Sequence, residues 1–243
     1  MTFNAIEQHI VVVVTNYLFN SNAEFENDDN SKIYMQKYGL NKILPDIKTP
    51  IGNIPPNIVQ QMQGVIPIVN YEDENKNLRL TYNDIDKNIS FEVQKVNEDS
   101  IKLLKDAIKD FIDIKMSDIK AMGLNFISLY NLGDKKLKIL NNDIEKYLPN
   151  FKKNIAFQLT LLLQLDDCVA TYKIRKKSGG DDTNENRIYQ IDANLHFDIS
   201  LGRTQEKINK INNITDNIDT KYFPIFSEEC NNILAMNDGK KEE

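Results

Sequence analysis

The sequence predicts an α+β protein, a mostly antiparallel sheet with amphipathic helices on one face, and three patterns support this. Long stretches alternate apolar and polar residues at the period of a half-buried strand, as from Tyr189 to Ile199. Two such strands lead directly into segments whose apolar residues recur every three or four positions, the spacing of a helix packed along one stripe. The parity of the alternation also flips at Asp166-Asp167, which marks a tight hairpin, and hairpins build antiparallel sheets.

The first element is a strand within Ile6 to Phe19. Its β-branched run Ile10 to Val14 reads as buried on both faces and central in the sheet. From Asn20 to Pro56 the chain is rich in Asn, Asp, Pro and Gly, and Pro45, Pro50 and Pro55-Pro56 break any long element. Loops with one short helix around Lys32 to Tyr38 are expected there. Val65 to Asn70 and Leu78 to Tyr82 fit short strands, with Pro67 demoting the first to an edge or an irregular segment. Ile89, Phe91 and Val93 alternate within a strand from Asn88 to Val96. Asn97 caps a following helix that runs to Lys115, and Glu98 and Asp99 suit the positive end of its dipole. Ile101, Leu104, Ile108, Phe111 and Ile112 form its apolar stripe. Ala121 to Asn131 alternates again as the next strand.

In the hairpin at Asp166-Asp167, a two-residue turn pairs Leu165 with Cys168, Leu163 with Ala170, Leu161 with Tyr172 and Leu159 with Ile174. A single bulged strand would reconcile the parity too, but it would be about 20 residues long, beyond the usual range. The strand from Arg187 to Ser200 turns Ile191, Leu195 and Phe197 inward and Asp192, His196 and Asp198 to water. Thr204 caps a helix to Asp219, and a shorter helix is expected from Ser227 to Met236. Val12, Val14, Phe91, Leu104, Ile108 and Phe126 join Leu161, Leu163, Ile191, Leu195 and Phe197 as the expected core. The organisation is a single α+β domain over 1–243, or two similar halves, 1–133 and 134–243, each with a strand running into a helix.

The charge balance narrows the functional classes. Thirty Lys and Arg against 36 Asp and Glu leave a formal charge of -6, which repels phosphate backbones and disfavours nucleic acid as a partner. No apolar run reaches the roughly 18 to 20 residues that cross a bilayer, so no membrane partner is expected. The N-terminus lacks the features of a signal peptide, and a cytoplasmic location follows as an expectation. Cys168 and Cys230 suit reduced, buried structural thiols. Heavy use of Asn and Ile points to an AT-rich prokaryotic or phage genome.

Candidate chemistry is sparse. Gly179-Gly180-Asp181-Asp182 resembles the metal-binding turn in the palm domains of polymerases and nucleotide cyclases, but the resemblance covers four residues flanked by polar, loop-like sequence. The other acidic pair, Asp166-Asp167, lies at the far end of the same strand, about 25 Å away at roughly 3.3 Å per residue. On the wet face of the last strand, His196 and Asp198 approach the turn carrying Asp167. An imidazole with carboxylates can bind a divalent cation or exchange protons, so these three are the candidate metal and catalytic residues. His9 reads as a strand-end residue. The basic runs Lys135-Lys136, Lys152-Lys153 and Arg175-Lys176-Lys177 lie beside turns, where solvation accounts for them. Phosphate-loop, dinucleotide, nucleophile-elbow and zinc motifs are absent from the sequence, and no cofactor is expected. The function expected from these features is a non-catalytic interaction protein that binds a protein partner or forms a homo-oligomer, with Asn20 to Pro56 as a contact arm. A metal-dependent enzyme using His196, Asp198 and Asp167, and a polyanion-binding module using the basic runs, are the alternatives.

Overall fold

A computed structural model describes residues 5–15, 22–43, 48–49, 52–53, 68–114, 119–131, 138–139, 142–143, 158–176 and 188–233 of the chain. The larger strands among them are β1 (Glu7–Thr15), β2 (Asn41–Ile43), β5 (Ile68–Glu72), β6 (Arg79–Asn83), β7 (Asn88–Val93) and β8 (Ala121–Asn131), then β11 (Gln158–Gln164), β12 (Val169–Lys176) and β13 (Ile188–Asp198). These nine form one antiparallel sheet in the order β11-β12-β13-β8-β1-β7-β6-β5-β2. Two further strand pairs stand apart: β3 (Lys48–Thr49) with β4 (Gly52–Asn53), and β9 (Lys138–Ile139) with β10 (Asn142–Asp143). The described helices are α1 (Asn22–Asn27), α2 (Asp29–Lys37), α3 (Glu98–Ile114), α4 (Thr204–Asp216) and α5 (Phe223–Ile233), with a π-helical turn at Ile218–Tyr222. The fold is therefore mixed α+β, and no described helix is long and apolar enough to cross a membrane.

The chain divides into two compact units. The first comprises Met1–His9, Asn125–Leu195 and Asn217–Glu243, and the second comprises Ile10–Leu124 and His196–Asp216. In the second unit, Ile10, Val12 and Val14 of β1 alternate with half-buried Val11 and Val13, and Ile10 to Val14 pair with Ile89 to Val93 of β7. Helix α3 packs on β7 through its apolar stripe. Leu104, Ile108 and Ile112 are fully buried, and Phe111 meets Phe91 edge-on at 5.3 Å. In the first unit, Phe126 of β8 stacks on Phe226 of α5 at 5.3 Å, and Tyr172, Ile191 and Leu195 are also buried. Each such side chain contributes about 1.5 to 3 kcal/mol through burial.

The hairpin register agrees with the parity argument: Leu163 pairs with Ala170, Leu161 with Tyr172 and Leu159 with Ile174, and Leu165 N–H donates to Cys168 O at 3.0 Å. Several expectations need correction. Leu161 and Leu163 do not lie in the closed core; Leu163 is 37% exposed and Leu161 half-buried, because β11 stands at the end of the strand order and pairs only with β12 among the described residues. Strand β1 is central, as its composition suggested, but it is buried on one face rather than two. Strand β5 begins immediately after Pro67 and pairs with both β6 and β2, so it is not an edge. The helix expected to reach Asp219 stops at Asp216, and Tyr222 N–H then bonds to Asn217 O five residues back, at 3.1 Å. The last helix starts at Phe223 with Pro224 in its first turn, where a missing N–H is harmless.

Candidate functional site

The β5–β6 turn is built around Asp73. One carboxylate oxygen accepts Leu78 N–H at 2.6 Å and the other accepts Asn75 N–H at 3.2 Å, while Lys76 N–H closes onto Asp73 O at 2.9 Å. Lys76 occupies the left-handed region at φ 56°, fixing the path of Asn75-Lys76-Asn77. The β7–α3 connection contributes Gln94, Lys95 and the cap of α3. Asn97 Oδ1 accepts Ser100 N–H at 2.8 Å, and Ser100 Oγ in return accepts Asn97 N–H at 2.9 Å, a reciprocal cap.

Between these segments, within the second unit, lies a cleft of about 550 Å³ lined by residues 75–77, Gln94, Lys95, Asn97, Asp99, Ser100 and Leu103. Its walls are rich in side-chain amides, with two ammonium groups against a single carboxylate. It opens at the start of a 17-residue helix whose positive end already carries Glu98 and Asp99 in its first turn, so the two lysines are the cleft's cationic groups. Lys76 and Lys95 are exposed, and neither is paired with a carboxylate among the described residues. The amides can donate and accept, the ammonium groups can neutralise an anion, and Leu103 adds an apolar contact.

The candidate metal residues do not form such a site. His196 and Asp198 stand exposed on β13 in the second unit. Asp198 Oδ1 accepts Ser200 N–H at 2.8 Å, and its backbone carbonyl accepts Lys210 Nζ at 2.7 Å, so this carboxylate ends the strand. Hydrogen bonds from Ser200 hold its carboxyl below the usual range, with the Lys210 and His196 charges adding to the effect. Asp167 belongs to the first unit, where it accepts Lys221 Nζ and Tyr222 Oη, both at 2.7 Å. Burial raises the Asp167 carboxyl, but the bonds from Lys221 and Tyr222 more than reverse this and leave it lowered. Among the described residues, no group of three or more His, Cys, Asp or Glu is placed to hold a metal ion.

Sequence reasoning did not find a second clasp of the same make. In the second unit Lys37 Nζ and Tyr38 Oη at the end of α2 both donate to Asp110 of α3, as Lys221 and Tyr222 do to Asp167. The only signal for it is a Lys-Tyr dipeptide at a helix end, which is too common to be read without the partner. Cys168 is buried, and burial, followed by the nearby Asp167 charge, pushes its thiol up to about 11, which suits an inert side chain. His9, at the start of β1, lies 2.5 Å from the Glu7 carboxylate. Arg175 is paired with Asp192, whereas Lys135-Lys136, Lys152-Lys153 and Gly179-Gly180-Asp181-Asp182 lie outside the described residues. The expected contact arm is packed where it is described: Phe25 and Tyr34 are buried, and Tyr34 Oη donates to Ala107 O at 3.0 Å.

No family model and no curated protein matches this chain. Among solved structures, it is similar to the substrate-free duplicated taurocyamine kinase from Schistosoma mansoni, with a TM-score of 0.43 and 12% identity over 77% of this chain. It is also similar to the same kinase with bound transition-state-analogue components, at 0.40 and 12% over the same share. The chain spans 29% of the length of that kinase. Contrary to the expectation of a non-catalytic interaction protein, the neighbours that this comparison returns are kinase structures. At a TM-score below 0.5 the likeness carries no reaction, substrate or residue role over to this chain.

Proposed function

We propose that this protein binds a small anionic metabolite in the cleft at the start of α3. The observation that carries this reading is the pair Lys76 and Lys95, unmatched by described carboxylates, lining a polar cleft of about 550 Å³ in which Asp99 is the one carboxylate. That volume is in the range that holds metabolite-sized ligands. Both lysines are exposed, so their attraction is screened, and binding is expected to be modest and to weaken with salt.

Calorimetric titration with inorganic phosphate, citrate and adenosine monophosphate tests this. Lys76→Ala and Lys95→Ala should each weaken binding of the best of these probes by roughly five- to tenfold, the equivalent of about 1 kcal/mol. A wild-type protein that takes up none of the three, or variants that bind as well as wild type, would remove the reading.

The strand order also supports treating the chain as two like halves with helices over one face, divided before β8 rather than at 133/134 as the sequence suggested. One half runs β1, the meander β5-β6-β7 and α3, while the other runs β8, the meander β11-β12-β13 and α4, and in each the last meander strand lies beside the first strand. The alternation of buried Ile191, Ala193 and Leu195 with exposed Asn194 and His196 is what a sheet covered on one face requires.

A further inference from the structure

The two edges of the large sheet are treated differently by the sequence. At one end β2 is three residues long and carries Lys42 at its centre, a short, charged edge that resists further pairing. At the other end β11 is seven residues long, Gln158-Leu159-Thr160-Leu161-Leu162-Leu163-Gln164, with no charge and no proline, and among the described residues only β12 pairs with it. Leu162 is 72% exposed and Leu163 37%. A long, uncharged edge with exposed leucines is what soluble proteins avoid unless something covers it.

The strand itself indicates the occupant. Read in opposite directions about Leu161, it places Gln158 opposite Gln164, Leu159 opposite Leu163, Thr160 opposite Leu162 and Leu161 opposite itself. The backbone agrees with this register. Because Leu165 and Cys168 are a hydrogen-bonded pair, the odd-numbered residues of β11 bond to β12, and the even-numbered ones, 158, 160, 162 and 164, turn their N–H and C=O groups outward. A two-fold axis at Leu161 pairs even residues with even residues, so outward donors meet outward acceptors. Charge agrees as well. The chain carries a net -6, so two copies repel except across an uncharged surface, and this edge brings no like charges into opposition.

We propose that two copies of this chain join through antiparallel pairing of β11 with β11, extending the sheet across a two-fold axis at Leu161. Sedimentation velocity of the full chain over a wide concentration range should show a monomer–dimer equilibrium. Leu162→Lys replaces an exposed side chain and should weaken association tenfold or more while leaving the circular dichroism spectrum unchanged. The register is read by crosslinking. Leu161→Cys should form a disulfide-linked dimer on mild oxidation, since it faces its own copy in a close, non-hydrogen-bonded pair. Thr160→Cys alone should not crosslink, whereas it should when combined with Leu162→Cys. The native Cys168 and Cys230 are buried and add no background. A strict monomer at high concentration, or a dimer that is indifferent to Leu162→Lys and not trapped by Leu161→Cys, would overturn the proposal; the latter result would place another surface at the interface.

Discussion

The hydroxyl of Thr215 lies fully buried on α4 with no hydrogen-bond partner among the described residues, so folding strips it of water and returns nothing. Val has the same shape without the polar atom. Thr215→Val should therefore stabilise the protein by about 1 kcal/mol in urea unfolding, and a destabilised variant would show that the hydroxyl is satisfied after all. Single residues of this kind are the least legible in sequence, because Thr in an Asn- and Thr-bearing helix looks solvated. Asp167 illustrates the same limit. Its place in a two-residue turn follows from parity, but the Lys221 and Tyr222 groups that hold it come from 54 and 55 residues away.

At the scale of elements, local chemistry was mostly sufficient. The cap at Asn97, the stripe of α3 and the hairpin register were all readable, because caps and alternation depend on near neighbours in the chain. Asn97→Ala removes the acceptor for Ser100 N–H and should lower stability by about 1 kcal/mol in the same unfolding measurement. Asn97 also lines the cleft, so the variant should affect anion binding less than Lys76→Ala or Lys95→Ala does, since the amide brings no charge. The π-helical turn before α5 was not readable. The apolar spacing Ile211, Ile214, Ile218 continues smoothly through the point where the helix loosens, and it is Tyr222 reaching the hairpin turn that coincides with the change of pitch.

For the whole molecule, a Lys-Tyr clasp on an aspartate occurs in each compact unit among the described residues, on Asp110 in the second and Asp167 in the first. Both carboxyls are raised by burial and lowered further by their lysine and tyrosine partners, so the net shift is downward. A carboxyl lowered on folding contributes stability that is complete above its unfolded value near 4 and is lost as pH falls through the folded value. Stability should thus decline below about pH 4, and Asp110→Asn with Asp167→Asn should flatten that decline while costing about 1 kcal/mol each at neutral pH, solvent-screened as both pairs are. An acid limb identical to wild type would contradict this. By itself the sequence determined the α+β class, most strands, the principal helix with its cap and the pairing within the hairpin, because each of these depends on residues a few positions apart. Tertiary structure alone decided which strands ended the sheet order, which lysines lined one cleft and where His196, Asp198 and Asp167 went, because those placements are set by contacts between segments tens of residues apart that no local pattern encodes.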